Sequence, residues 1–264
     1  MGDGETLAGR RIVVTRRPEQ ASRLAGLLRD RGATVLEVPA TAIGPPGDPG
    51  PLDGALRDLG RFDWVALTSA NAVTAVRDRL ASLGRPARLG EGGARIASVG
   101  PATTRAIREA FPDDTVALEP ESDYRAEGLL RAFEATGCAG TAVLVPASSR
   151  AREELPSGLS ALGAEVTVVE AYATVEPPGL REAVEGCLRE GFDAATFAAP
   201  SAVEAFASAA AAASVRAEGL PAVVIGPTTE AAARLARFRV LAIASPCTVE
   251  GLVAALERVI GRTG

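Results

Sequence analysis

The strongest constraint on the fold is a twelve-residue pattern that occurs twice in the chain. Residues 62–73 read Phe-Asp-Trp-Val-Ala-Leu-Thr-Ser-Ala-Asn-Ala-Val, and residues 192–203 read Phe-Asp-Ala-Ala-Thr-Phe-Ala-Ala-Pro-Ser-Ala-Val. In each copy an aspartate precedes a short apolar run typical of a buried strand, and a small turn then leads into an Ala/Val-rich helix. The start of such a helix has unpaired backbone N–H groups that bind anionic groups. The duplication therefore predicts a binding cleft built from two similar halves.

The repeat extends beyond this stretch. A Gly-Pro turn follows a second apolar run in each half, at Gly100-Pro101 and at Gly226-Pro227. The offset between the halves is 130 residues from Phe62 to Phe192 and 126 residues from Gly100 to Gly226. Small deletions in loops produce such a drift, and two copies are too few for a solenoid. We therefore predict a duplicated α/β protein.

The apolar runs alternate with helical segments along the chain, for example a strand at 63–67, a helix at 70–82, a strand at 94–99 and a helix at 101–110. Strict alternation indicates parallel sheets with helices on both faces, and ligands bind beyond the carboxyl ends of such strands. Small or polar turns are expected at those ends: Thr15-Arg16, Thr68-Ser69, Gly100-Pro101, Ala147-Ser148, Ala199-Pro200 and Gly226-Pro227. Any one of them alone is an ordinary connection, but six in equivalent places favour a shared cleft.

The composition excludes several kinds of chemistry. The chain has no histidine and no lysine, so that all 28 basic residues are arginine. A histidine proton shuttle, a Schiff base and a P-loop lysine are therefore excluded. The net charge of −5 argues against a nucleic-acid partner. No apolar run reaches membrane-spanning length, the three cysteines are read as buried reduced thiols, and a cytoplasmic location is expected.

Several short motifs resemble those of the uroporphyrinogen-III synthase family. The motifs are Val-Val-Thr-Arg at 13–16, Asp-Trp-Val at 63–65, Thr-Ser-Ala-Asn-Ala-Val at 68–73, Val-Gly-Pro-Ala-Thr at 99–103, Glu-Gly-Leu at 127–129, Glu-Ala-Tyr-Ala-Thr at 170–174, Pro-Ser-Ala-Val at 200–203, Ile-Gly-Pro-Thr-Thr at 225–229, Ser-Pro at 245–246 and Glu-Gly-Leu at 250–252. The resemblance covers nearly the whole chain. It implies two similar parallel-sheet α/β lobes, joined by a two-stranded linker, with the active site in the cleft between them.

Carried over to this sequence, the resemblance implies particular boundaries. Lobe one is discontinuous and combines residues 1–35 with residues 175–264, lobe two spans residues 44–165, and the linker strands are 36–43 and 166–174. Two extended crossings of a narrow neck permit hinge motion.

The resemblance also implies a reaction. The family converts hydroxymethylbilane, a linear tetrapyrrole, into uroporphyrinogen III, with loss of water and inversion of the last pyrrole ring. No metal or organic cofactor is implied, and we expect a monomer whose partner is its small-molecule substrate. The substrate is a polyanion, for which helix starts, hydroxyls and arginines are suitable donors.

Tyr172 matches the family's tyrosine and is the candidate catalytic residue, assisting departure of the hydroxyl by a hydrogen bond. The alternative is a tyrosine packed on a strand with its hydroxyl in water. Candidates for binding the substrate are Arg16, Ser69, Asn71, Thr103, Ser148, Ser201 and Thr229. The alternative of capping their own helices applies to five of them: Ser69, Asn71, Thr103, Ser201 and Thr229. Arg150 and Arg152 are weighed between ligand contact and a surface role, while a turn role is favoured for Asp63 and Asp193.

One departure from the family pattern leaves other functions open. The family often has Thr-Ser before the proline of the second repeat, where this chain has Ala198-Ala199. Carboxylate binding there must depend more on backbone N–H groups, so a non-catalytic sensor of a tetrapyrrole or another small anion is the alternative function. A nucleotide-binding α/β protein ranks last, because neither a Gly-x-Gly-x-x-Gly turn nor a P-loop is present.

Overall fold

The computed structural model describes residues 6–149 and 153–261. The strands are β1 (Arg11–Val14), β2 (Thr34–Glu37), β3 (Ala42–Gly44), β4 (Trp64–Leu67), β5 (Arg95–Ser98), β6 (Val116–Leu118), β7 (Ala142–Ser148), β8 (Glu165–Val175), β9 (Ala194–Phe197), β10 (Pro221–Val224) and β11 (Arg239–Ile243). The α-helices are α1 (Pro18–Arg29), α2 (Gly50–Arg57), α3 (Ala70–Ser82), α4 (Pro101–Ala110), α5 (Ala126–Thr136), α6 (Glu154–Ala161), α7 (Leu180–Glu190), α8 (Pro200–Ala212), α9 (Pro227–Leu235) and α10 (Val249–Ile260).

The chain divides into two compact units. The terminal unit comprises the residues up to Ala42 and those from Val175 onward, and the central unit comprises Ile43–Thr174. The terminal unit has a sheet with the order β11-β10-β9-β1-β2, and the central unit has one with the order β3-β8-β7-β4-β5-β6. Read in reverse, β6-β5-β4-β7-β8 has the same arrangement as the terminal sheet, with β3 added beside β8. The two units are thus structural copies of one design.

Each sheet combines strands from both halves of the sequence. In the terminal unit β1 from the first half pairs in parallel with β9 from the second, and in the central unit β4 pairs in parallel with β7. Asp193 accepts a hydrogen bond from the Arg11 backbone N–H at 2.8 Å, and Asp63 accepts one from the Ala142 N–H at 2.8 Å. Each carboxylate therefore fixes the start of a neighbouring strand, which is a structural role across the sheet and differs from the turn role that was predicted for these two aspartates.

Helices cover both faces of each sheet, so successive strand residues enter different cores. In the central unit Val65 lies in one apolar cluster and Trp64 in the other. In the terminal unit Val13 lies in one apolar cluster and the preceding residue, Ile12, lies in the other. Strands buried on both faces are apolar without alternation, which explains the continuous apolar runs in the sequence. Trp64 also carries the Arg95 guanidinium over its ring, 4.0 Å from the centroid.

The chain leaves the terminal sheet shortly after β2. The strand β2 ends at Glu37, and the backbone N–H groups of Val38 and Ala40 still bond to the carbonyls of Val14 and Thr15, both at 3.0 Å. Pro39 lies between them and has no N–H to donate. The chain then leaves this sheet, and β3 joins β8 in the other.

The predicted linker segment 166–174 lies within β8, which runs between β3 and β7 in the central sheet. The role of residues 36–43 and 166–174 as a linker stays a prediction.

The prediction that all three cysteines are buried is wrong for one of them. Cys138 and Cys187 are buried, but Cys247 is exposed. It lies in the loop between β11 and α10, at the carboxyl edge of the sheet, and not on a core face. In the part of the chain that the structure describes, no helix is long and apolar enough to cross a membrane.

Candidate active site

Helices begin directly after the carboxyl ends of the strands, as the turns predicted. In the central unit α3 begins at Ala70 after β4, and α4 begins at Pro101 after β5. In the terminal unit α8 begins at Pro200 after β9, and α9 begins at Pro227 after β10. Because β4 and β5 are parallel, and β9 and β10 are parallel, the helix starts of each pair lie along one edge of their own sheet. Each unit therefore presents a row of backbone N–H groups suited to carboxylates.

Tyr172 and Ser69 meet at the start of α3. The Tyr172 hydroxyl lies 3.2 Å from Ser69 Oγ, and Ser69 Oγ accepts a hydrogen bond from the Ala72 N–H at 3.1 Å. The Tyr172 side chain is only 9% exposed. Its hydroxyl is thus tied to a helix start, which differs from the alternative of a hydroxyl left in water. Ser69 caps its helix and contacts the candidate catalytic group at the same time.

A β-bulge sets the direction of Tyr172. Along β7 and β8 the pairing runs regularly to Ala147 and Glu170, but the next partners are Ser148 and Tyr172, so that β8 has one extra residue. In a regular strand Glu170 and Tyr172 would share a face. Instead, Tyr172 packs with Ala171 in the apolar cluster beneath α3. Bulges near active sites often redirect a side chain in this way.

Ser148 lies at a cavity of the central unit. It ends β7, and its backbone pairs with Tyr172. The cavity has a volume of about 410 Å³. Thr68, Ser148 and Glu170 lie in its wall, beside apolar side chains that include Val168. Arg150 and Arg152 lie outside the described residues.

Thr103 and Thr229 hold equivalent positions, the third residue of α4 and of α9, and both are buried. Within the described residues neither side-chain hydroxyl makes a hydrogen bond to the helix backbone. Thr104, the next residue, does have polar partners: its Oγ1 lies 2.5 Å from Ser98 Oγ and bonds to Glu119. The sequence reasoning missed this network. It braces the Gly100 turn, because the Gly100 N–H also donates to Ser98 Oγ at 3.2 Å.

Arg16 lies just beyond the end of β1 in the terminal unit. Its Nε atom is buried and has no hydrogen-bond partner, and no ion pair joins Arg16 to any acid among residues 6–149 and 153–261. Burial lowers the pKa of its guanidinium, and the positive charge of Arg17 lowers that pKa further. Arg16 as a whole is half-buried, and a partly desolvated cation without a counterion is costly, so an anionic ligand would stabilise this arrangement.

The other predicted residues of the site are less engaged. Asn71 and Ser201 are half-buried in the first turns of α3 and α8, and neither side chain makes a hydrogen bond within the described part of the chain. Ala199 precedes α8 in the place that Ser69 has before α3, and no side chain caps α8. In the described residues no group of three or more His, Cys, Asp or Glu side chains is arranged to hold a metal ion.

Comparison with known proteins decides the family. Residues 22–254 match the family described as uroporphyrinogen-III synthase HemD. The chain belongs to the uroporphyrinogen-III synthase family. It is 32% identical over 261 residues to the uroporphyrinogen-III synthase of Synechococcus elongatus, covering 96% of this chain and 97% of that protein. It is also 31% identical over 260 residues to the chloroplastic uroporphyrinogen-III synthase of Oryza sativa subsp. japonica, covering 93% of this chain and 80% of that one.

Solved structures of uroporphyrinogen III synthases share the fold. The Helicobacter pylori protein is 16% identical with a TM-score of 0.56, covering 93% of this chain and 97% of that chain. A mutant form from the extremely thermophilic bacterium Thermus thermophilus is 17% identical with a TM-score of 0.55, covering 96% of this chain and 99% of that chain. The predicted α/β architecture of two similar parallel-sheet lobes is thus confirmed.

The candidate site residues of this family member divide between the units. Tyr172, Ser69, Asn71, Thr103 and Ser148 belong to the central unit, and Arg16, Ser201 and Thr229 belong to the terminal unit. The structure brings Tyr172 together with Ser69, and it pairs Ser148 with Tyr172 through the backbone. The cavity carboxylates and the Thr104 network were not predicted.

Proposed function

We propose that this protein is a uroporphyrinogen-III synthase, which closes hydroxymethylbilane to uroporphyrinogen III with loss of water and inversion of the last pyrrole ring. Membership of the family supports the activity. The observation that carries the mechanism is the Tyr172 hydroxyl, held 3.2 Å from Ser69 Oγ at the start of α3.

The Tyr172 hydroxyl assists the leaving group. Ser69 Oγ already accepts from the Ala72 N–H, so its own proton is available for the Tyr172 oxygen. The Tyr172 O–H is then left to donate to the hydroxyl of the substrate. The pyrrole nitrogen supplies the electrons as the C–O bond breaks, so no protein nucleophile is required. Holding the flexible chain of rings in one conformation provides much of the remaining catalysis.

The helix starts bind the carboxylates of the substrate. Uncapped N–H groups at α8 and α9, with the hydroxyls of Ser201 and Thr229, are suitable donors in the terminal unit. Thr103 and Asn71 have the same role in the central unit. Ser148 lies in the cavity wall beside Glu153 and Glu170, so its hydroxyl binds an uncharged part of the substrate in this proposal. Arg16 is the charged partner in this proposal, since its guanidinium has no counterion within the described chain and binds carboxylates with directed hydrogen bonds.

The proposal requires neither metal nor organic cofactor, and it names the bilane as the partner of the protein, with no nucleic acid or membrane involved. The monomeric state and the cytoplasmic location stay predictions from the sequence. Sedimentation of the purified protein tests the first, and fractionation of cells tests the second.

The deciding experiment incubates the protein with freshly made hydroxymethylbilane and separates the product isomers. The expected product is the isomer with the inverted ring. Only the isomer that forms without enzyme, together with tight binding of uroporphyrinogen III, would favour the sensor. The missing hydroxyl at Ala199 is the observation that keeps this second function in view.

A further inference from the structure

The cavity of the central unit combines a mostly apolar wall with two carboxylates. It has a volume of about 410 Å³, within the range of pockets for small molecules. Val145, Leu155 and Val168 supply apolar surface, and the carboxylates belong to Glu153 and Glu170. A polyanionic substrate would not be expected beside two acids unless its positive or N–H-bearing part lies there.

Neither carboxylate has a cationic partner among residues 6–149 and 153–261. Glu170 Oε1 accepts one hydrogen bond, from the Gly47 N–H at 3.1 Å, which leaves most of its acceptor capacity free. Elsewhere in the same unit acids are paired with arginine, for example Asp53 with Arg79 through two bonds of 2.5 and 2.6 Å. Glu170 is therefore held in place by the backbone, and no cation among residues 6–149 and 153–261 neutralises it.

The bulge in β8 separates Glu170 from Tyr172. Val168 and Glu170 both line the cavity, whereas Tyr172 is turned into the cluster beneath α3. The Glu170 carboxylate and the Tyr172 phenol therefore lie on opposite faces of the sheet, near its carboxyl edge. Such an arrangement places a negative charge and a hydroxyl donor on two sides of one strand end.

We propose that this cavity takes one pyrrole ring of the bilane and that Glu170 accepts a hydrogen bond from its N–H. The proposal rests on the proposed function. As the C–O bond breaks, the hydroxyl leaves as water after gaining a proton, and positive charge develops on the ring. The carbon that forms the new C–C bond later releases a proton, so one water is lost overall. The Glu170 carboxylate stabilises the cationic ring, and together with Glu153 it repels the acidic substituents from the cavity.

The variant Glu170→Gln tests the charge. The amide oxygen keeps the bond from Gly47, so the fold is retained while the negative charge is lost. We expect kcat to fall about tenfold or more, with KM within about twofold, because the charge acts mainly when the ring is cationic. The control is Glu165→Gln, an exposed glutamate at the start of the same strand, which should keep wild-type kinetics.

The variant Val168→Phe tests the space. Val168 is 50% exposed, so a larger side chain can be accommodated without disturbing the core, but it narrows the cavity and should raise KM. If Glu170→Gln keeps the wild-type kcat, or if Val168→Phe keeps the wild-type KM, this inference is wrong. Neither result would contradict the proposed function. If the wild-type protein makes only the spontaneous isomer, the proposed function itself fails.

Discussion

The two tyrosines of this chain have different surroundings. Tyr172 is 9% exposed, and its hydroxyl meets Ser69. Tyr124 is 49% exposed, and its hydroxyl donates to the Glu121 carbonyl at 3.1 Å. The same side-chain chemistry therefore occurs once at a helix start and once at the surface. This pair offers a matched test of the phenol in the proposed reaction.

Replacing Tyr172 by Phe should lower kcat about tenfold to a hundredfold, the range expected when one hydrogen bond to a developing charge is lost. The ring still fills the core, so circular dichroism and the melting temperature should change little. Tyr124→Phe is the control and should keep the wild-type rate. Equal rates for the two variants would remove Tyr172 from the mechanism. The measurement is the initial rate of ring closure with fresh hydroxymethylbilane.

At the scale of elements, α3 and α8 are equivalent helices with different caps. The residue before α3 is Ser69, at φ −160° and ψ 153°, and its side chain accepts the Ala72 N–H. The residue before α8 is Ala199, at φ −155° and ψ 150°, without a side-chain cap. The two backbones have the same conformation. A hydroxyl at residue 199 therefore has the geometry to cap α8.

The variant Ala199→Ser should raise the free energy of unfolding by about 1 kcal/mol, the usual contribution of a side-chain cap. Ala211→Ser, at an exposed position inside the same helix, is the control and should be neutral or slightly destabilising. Urea unfolding followed by circular dichroism measures both. If Ala199→Ser does not raise the free energy of unfolding above that of Ala211→Ser, the explanation by capping is wrong.

Two glycines lie where a loop folds back over a helix start. A Cβ at Gly128 in α5 would lie 1.8 Å from the Asp123 carbonyl oxygen, and one at Gly251 in α10 would lie 1.9 Å from the Pro246 carbonyl oxygen. Both contacts are far too short, and both involve backbone that cannot easily move. The paired Glu-Gly-Leu motifs of the sequence therefore have a packing origin in each unit.

Gly251→Ala should lower the melting temperature by several degrees, because the loop before α10 must shift. Gly186→Ala is the matched control: it lies inside α7 with nothing within 4 Å of the new Cβ. There, alanine should stabilise the helix by roughly 0.5–1 kcal/mol. Thermal melts should therefore show a lower melting temperature for Gly251→Ala and a higher one for Gly186→Ala. A change of the same sign in both variants would contradict this explanation.

At the scale of the whole molecule, the charges leave a wide pH range without titration. With no histidine in the chain, no side chain of ordinary pKa changes its charge between about pH 5 and 8. The hydrogen bond from Arg79 lowers the pKa of Asp53, and those from Arg125 and Arg131 lower the pKa of Asp123. Burial raises the pKa of the Cys187 thiol from 9.0 to about 11.

The free energy of unfolding should therefore be flat near neutrality and fall on both sides. Depressed carboxyl pKa values stabilise the fold above the ordinary value of about 4, and that contribution is lost as the pH drops below it. The raised thiol pKa acts oppositely, and its contribution is lost as the pH rises from 9.0 towards about 11. Denaturant unfolding across pH 3–11 measures the profile.

Asp53→Asn should make the fall in the free energy of unfolding at acid pH smaller, because a depressed carboxyl pKa is removed. The exposed control Asp113→Asn should leave that fall unchanged. A sharp change in stability near pH 6.5 would contradict this description. The rate of ring closure should likewise show no steep inflection there caused by the protein.

Local patterns determined much of this protein from the sequence. The helices at 70–82 and 101–110 were predicted with the bounds that the structure has, because a turn residue and an apolar period mark each one. The duplication, the parallel sheets and the family were also readable, since repeated motifs survive in the chain itself. Tyr172 and Ser69 were both predicted as members of the site.

Only the tertiary structure decided how these parts meet. Each sheet contains strands from both halves of the sequence. This arrangement depends on pairing between residues far apart in the chain, which local patterns do not determine. The extra residue in β8 that turns Tyr172 towards Ser69 becomes visible only against the register of β7. The same holds for Glu170, whose carboxylate has no cationic partner in the part of the chain that the structure describes, because a counterion is a property of neighbours in space. A sequence orders its strands and helices by local preference, but it does not state which side chains end up across from one another.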